Sequence, residues 1–224
     1  MVHLIVTYDV LEVSTVTGQD HTSESLMDAE VFGESGEEIG NVENVLINQD
    51  NQIVAIIAEV GGFWGIGATH VLVPWEEVQL TDDGVQVPIV EDNVDDYDLF
   101  DSGYISQDDL SQTEQARQVD DDVETGDRIW KLTDLLDDYA SFNNRVGYGY
   151  IDNILFSREG EIQAIVIHSA GNFGNAPYAY PFYGYGYGWA PGNASYMLQY
   201  EENEIGDMDV FDYREYNGMW DDDD

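Results

Sequence analysis

The sequence predicts an all-β protein, and three observations predict it. Short runs rich in Val, Ile and Tyr recur about every ten residues between clusters of Gly, Asn and Asp, the spacing of a small sandwich or barrel. Residues 40–62, GNVENVLINQDNQIVAIIAEVGG, return without a gap, 109 positions later, as residues 149–171, GYIDNILFSREGEIQAIVIHSAG. The identities include Gly40/Gly149, Asn44/Asn153, Leu46/Leu155, Ile53/Ile162, Ala55/Ala164, Ile56/Ile165 and Gly62/Gly171. Finally, 43% hydrophobic residues in a chain of 224 suffice for packed cores. The repeat makes two tandem units the expected architecture, each hairpin being the central strand pair of its own core. An alternative arrangement packs the halves as one pseudo-symmetric body, with the glycine loops buried against each other.

The elements follow in order. Val2, Leu4, Val6, Tyr8 and Val10 alternate with His3, Ile5, Thr7 and Asp9, which is the period-two signal of a strand. The polar run STVTGQDHTSES connects it to the first unit, so residues 1–25 form an N-terminal strand and connector. Within 26–90 the strand candidates are AEVF, GNVENVLI, IVAIIAEV, VLVPW, VQL and VQVPIV, separated by GESGEE, NQDNQ, GGFWGIGATH and TDDG. Asp50-Asn51 and Glu159-Gly160 mark the hairpin tips, where Asn and Gly accept the positive φ of a tight turn. Residues 91–127 carry many acids against one basic residue, Arg117, and read as an acidic linker. The second unit, 128–216, opens with Ile129, Leu132, Leu135 and Leu136, a short helical stripe or an irregular strand. Its hairpin is followed by the insertion NFGNAPYAYPFYGYGYGWAPGNASY and then YMLQY, which takes the place of VLVPW. A short helix or strand is expected near 210–216, and residues 217–224 form an acidic tail.

Charge restricts the partners. The chain has 47 Asp and Glu against 6 Lys and Arg, a formal net charge of −41. Such a surface repels nucleic acid and anionic lipid, both of which require positive charge opposite phosphate. Acids spread through strand-like and loop-like segments alike fit a surface adapted to high salt, where ions screen the self-repulsion. Cysteine is absent, which excludes disulfides, thiolate metal sites and a cysteine nucleophile. No apolar run reaches the length of a membrane-spanning helix, and the first residues lack the features of an export leader. The expected placement is cytoplasmic, or the periplasm or cell envelope where a leader has been removed.

At this point the residues resemble a known family. The Gly-Glu-x-Ile-Gly turn (Gly36, Glu37, Ile39, Gly40), the hairpin to Ala55, the Gly-Gly-Phe-x-Gly-Ile-Gly loop (Gly61, Gly62, Phe63, Gly65, Ile66, Gly67) and Val-Pro-Trp (Val73 to Trp75) are similar to a PRC-barrel domain. This is the small β-barrel of the photosynthetic reaction-centre H subunit and of the ribosome-maturation protein RimM. The second copy is similar to the diverged barrel of two-barrel bacterial envelope proteins, with Leu198-Gln199-Tyr200 where the first has Val-Pro-Trp. The resemblance implies two tandem PRC-type β-barrels in a bacterial protein. It further implies a non-enzymatic adaptor or docking module, since the family has no shared catalytic residue. The acidity argues against a ribosomal role.

Searches for chemistry narrow the site. His3, His21, His70 and His168 show no zinc-type spacing, and there is no G-x-S-x-G nucleophile motif. In GYGYGYGW, Gly184, Gly186 and Gly188 are followed by neither a helix nor a nearby Lys, so this is not a phosphate loop. Its tyrosines and tryptophan read either as a loop packed on its own barrel or as a partner surface, because such rings give large contact area at low entropic cost. Phe63, Trp64, Tyr183, Tyr185, Tyr187 and Trp189 are the candidate partner-binding residues. No EF-hand is present. Asp120, Asp121, Asp122 and Glu124 are the candidate ligands for the alternative function, cation binding of the calcium type; the expected cofactor is otherwise none, apart from weakly held Ca²⁺ or monovalent cations.

Overall fold

Most apolar residues of the repeated segment are Val and Ile, β-branched and suited to strands, and they are flanked by residues that tolerate tight turns, so each copy folds into a long antiparallel hairpin. The computed structural model describes residues 10–12, 26–61, 69–81, 83–90, 104–105, 117–119, 124–125, 129–190, 195–204 and 209–213. These contain strands and short 3-10 turns and no α-helix, and no helix among them is long and apolar enough to cross a membrane. The strands are β1 (Val10–Glu12), β2 (Glu30–Phe32), β3 (Glu38–Asn48), β4 (Ile53–Val60), β5 (Thr69–Pro74), β6 (Gln79–Thr81), β7 (Gly84–Gln86) and β8 (Tyr104–Ile105). They continue as β9 (Arg117–Val119), β10 (Glu124–Thr125), β11 (Ile129–Lys131), β12 (Tyr139–Ser141), β13 (Gly147–Ser157), β14 (Ile162–Ser169), β15 (Pro177–Pro181) and β16 (Tyr196–Met197). The fold is all-β.

Two sheets share one plan. The first runs β6-β7-β2-β3-β4-β5-β9 and the second β15-β14-β13-β12-β16. In each, an antiparallel meander (β2 to β5, β12 to β15) is extended at its first strand by a parallel partner, β7 on β2 and β16 on β12.

The structure explains why the repeat keeps certain residues. Val42 pairs with Ala58 and Asn44 with Ile57, leaving Glu43 as the extra residue of a β-bulge; Ile151, Asn153 and Asp152 repeat this on β13. At each bulge the Asn side chain accepts a hydrogen bond from the next backbone N–H, Val45 to Asn44 at 2.9 Å and Ile154 to Asn153 at 2.8 Å. That bond occupies a donor the broken ladder leaves over. Gly40 and Gly149 face the backbone carbonyls of Glu59 and His168 so closely that a Cβ would overlap them.

The two units meet at their hairpin tips. Ile53 N–H donates to the Gly160 carbonyl and Ile162 N–H to the Asn51 carbonyl, each at 2.8 Å, with an antiparallel bridge Gln52–Glu161 between them. Both bonds join positions related by the repeat offset, so a pseudo-twofold axis passes between the tips. The same symmetry exchanges strands. β1, ahead of the first unit, pairs with β13 of the second at Val10–Ser157, Leu11–Phe156 and Glu12–Leu155. β11, ahead of the second unit, pairs with β3 of the first at Ile129–Asn48, Trp130–Ile47 and Lys131–Leu46.

One hydrophobic cluster accordingly runs through both units, with Val45, Ile56 and Val73 from the first and Trp130, Phe156, Ile165 and Trp189 from the second. Trp75 packs edge-on against Phe156 at 5.9 Å. Alternation along β11 sends Trp130 into this cluster and Ile129 to the opposite face, against Leu46, Ile57 and Leu72. On the second unit the equivalent outer face, Leu155, Ala164, Val166 and Ala179, is covered by Phe211.

Of the two readings of residues 129–136 the strand is the one found: β11 is followed by a 3-10 turn, Leu132–Asp134, because the apolar side chains are drawn to both faces of β3 rather than to one helical stripe. Part of the expected linker belongs to a sheet, since β9 pairs antiparallel with β5. Of the helix or strand expected near 210–216, residues 214–216 lie outside the described residues; the described part contains no strand, and Phe211 is held by its side chain and by its N–H donating to the Pro177 carbonyl at 2.8 Å. The N-terminal strand ahead of Val10, the glycine loop at 62–68 and the acidic tail lie outside the described residues.

Candidate interaction surface

The aromatic insertion leaves β14 and divides its rings between core and surface. Pro177 and Pro181 bound β15, an edge position where a missing N–H is tolerated. Tyr180 turns inward, and its hydroxyl donates to that of Tyr148 at 2.7 Å. Burial pushes the Tyr148 phenol up to about 12 and raises Tyr180 further. Beyond Phe182, which is also buried, Gly184 (φ 71°) and Gly186 (φ 83°) curl the chain through left-handed conformations. The curl is closed by Gly186 N–H donating to the Trp189 carbonyl at 2.9 Å and Met197 N–H to the Gly188 carbonyl at 2.8 Å.

This geometry sorts the expected contact residues. Trp189 is 2% exposed. Its ring meets Trp130 edge-on at 5.4 Å, and its Nε1–H donates to Asp138 Oδ2 at 3.3 Å. Burial raises the Asp138 carboxyl, the Trp189 bond lowers it and nearby Asp134 raises it again. Direct contact by Trp189 is therefore corrected: the positive-φ glycines turn its indole into the core. Tyr183 is half-buried beside Tyr200. Tyr185 stacks on Trp130 at 4.8 Å and remains 44% exposed, while Tyr187 is 73% exposed. Phe63, Trp64, Asp120, Asp121 and Asp122 lie outside the described residues, as does the side chain of Glu124 on β10.

The sequence reading missed the neighbours of Tyr187. Tyr139 on β12 and Tyr150 on β13 face each other at 5.3 Å, and both are exposed. With Val146, Tyr185, Tyr187 and Met197 they account for every exposed large hydrophobic residue among those described except Val210. Three of them, Tyr139, Tyr187 and Met197, line an open groove of about 610 Å³ together with Ser141, Arg145 and Trp189. The signal available in sequence was aromatic residues beside the glycines of the second hairpin, Tyr148 and Tyr150, where the first hairpin has Ile39 and Asn41. The described lining contains no carboxylate and no imidazole. Phenol and Ser hydroxyls, one guanidinium and a thioether equip it for stacking and hydrogen bonding, and it lacks the groups most used for proton transfer.

The family model of the PRC-barrel domain matches residues 20–94, about a third of the chain. The chain contains a PRC-barrel domain. The match spans β2 to β7 and includes the bulge, the Gly40 close approach and the first hairpin tip. PRC-barrel domains are generally non-catalytic. The groove lies outside the matched residues, on the unit that repeats the PRC-barrel strand order. Among curated proteins none matches the chain.

Proposed function

We propose that the protein is a non-enzymatic adaptor of a salt-adapted bacterial cell envelope. In this reading a diverged second PRC-type barrel, not the matched domain, presents the partner-binding face. The supporting observation is the exposed aromatic and apolar lining of one groove, Tyr139, Tyr187 and Met197, with Tyr150 packed against Tyr139, on a chain of net charge −41. A strongly acidic surface keeps unrelated molecules apart by repulsion, so an aromatic patch whose described lining has no carboxylate is where desolvation can favour contact. Exposed Tyr and Met are enriched in interface cores for the same reason.

Replacing Tyr139, Tyr150 and Tyr187 together by Ser tests the reading. The melting temperature should change little, because surface substitutions usually stay within about 0.5 kcal/mol. Proteins cross-linked through a photoreactive group at position 187 of the otherwise wild-type chain should be lost when Tyr139 and Tyr150 are removed. A large fall in melting temperature, or an unchanged cross-linked set, would contradict the proposal.

A further inference from the structure

On the opposite unit, three strands bring together side chains of a different chemistry. Glu59 on β4 and His70 on β5 are directly paired across the ladder. Glu43 is the unpaired bulge residue of β3, and the bulge turns its carboxylate to the same side. One ligand atom from each of Glu43, Glu59 and His70 lies within 4.8 Å of the other two. Both glutamates are exposed and His70 is partly so, which leaves the three atoms open to an ion from solvent.

We infer that Glu43, Glu59 and His70 form a binding site for a divalent transition-metal ion of the zinc class. Zinc takes imidazole nitrogen and carboxylate oxygen at about 2.0–2.2 Å, which puts ligand atoms of a tetrahedral site about 3.4 Å apart. Small torsions of two Glu side chains close the distance from the present spacing. The imidazole sets the metal class. Carboxylates alone on this surface would hold calcium or magnesium weakly, whereas nitrogen favours zinc, nickel or copper over both. Three protein ligands leave a fourth position for water or a ligand atom from a partner.

The internal repeat supplies a contrast. The positions equivalent to Glu43 and Glu59 are Asp152 and His168, so the second unit also has a carboxylate and an imidazole there. The residue paired with His168 is Pro177, which offers no ligand, and Asp152 accepts a hydrogen bond from the Tyr213 hydroxyl at 3.1 Å. The triad is therefore complete on one unit only.

The test uses the full chain after treatment with chelator, titrated with zinc chloride alone in high-salt buffer. Zinc should bind with an affinity that His70→Gln or Glu43→Gln lowers at least tenfold and His168→Gln leaves unchanged. An excess of calcium chloride should not displace it. On the unsubstituted chain, imidazole carbon signals of His70 should shift on zinc addition ahead of those of the other histidines, a readout that remains if a variant folds poorly. Equal zinc affinity in His70→Gln and His168→Gln, or displacement by calcium at comparable concentration, would overturn the inference.

Discussion

Tyr148 and Tyr180 show how a single contact is tied to its surroundings. Their hydroxyls meet at 2.7 Å inside a ring cluster that includes Phe142 and Phe173. Tyr148→Phe leaves the Tyr180 hydroxyl buried without its acceptor and should cost about 1–3 kcal/mol, while the double Phe variant should recover most of that loss. Denaturant unfolding of the two single variants and the double variant checks it. The same burial governs alkaline stability. Tyr148 and Tyr200 are pushed up to about 12, chiefly by burial. A phenol whose folded value exceeds its unfolded value contributes full stability below the unfolded value, about 10, and loses it as pH rises through the folded one. Phenolate absorbance should therefore show a set of tyrosines that ionise only together with loss of near-ultraviolet dichroism, between about pH 10 and 12. Smooth ionisation of all tyrosines in the folded state would contradict their burial.

At the scale of elements, the bulged hairpin is the repeated device. Gly40→Ala and Gly149→Ala each place a Cβ against a backbone carbonyl that belongs to a central strand. Each should destabilise by about 1–3 kcal/mol or more, the cost of overpacking where the neighbour cannot yield. Gly36→Ala is the control for lost flexibility, since its Cβ meets nothing within 4 Å, although its φ of 78° adds strain. The hairpins, their tips and the glycines were legible in sequence because periodicity and turn chemistry are local. The bulge was visible only as an unexplained identity, Asn44/Asn153. Strand β9 was not legible, because three residues carry no periodicity, and for β1 and β11 a strand could be read but not its pairing with the other unit, because the partners lie far along the chain. The groove was half legible: the Tyr-Gly alternation announced it, but alternation does not reveal that positive-φ glycines turn Trp189 inward while Tyr187 stays out. Tyr139 and Tyr150 escaped notice because each is a lone exposed ring on its strand.

At the scale of the whole molecule, the described residues of both units share one continuous core. With a net charge of −41, like charges lie within a Debye length of about 10 Å at 0.1 M salt, which shrinks to about 3 Å at 1 M. The melting temperature should climb by several degrees between about 0.05 M and 2 M KCl, with NaCl acting equally; a flat response would remove salt adaptation from the account. The two units do not stand apart. Tip-to-tip hydrogen bonds, exchanged strands and a shared cluster around Trp75, Phe156 and Trp130 bind each unit's folding to the other's. Scanning calorimetry of the full chain in high salt tests this most directly. A shared core should give a single transition whose calorimetric and van't Hoff enthalpies agree. Two resolved transitions, each with about half the enthalpy, would contradict it.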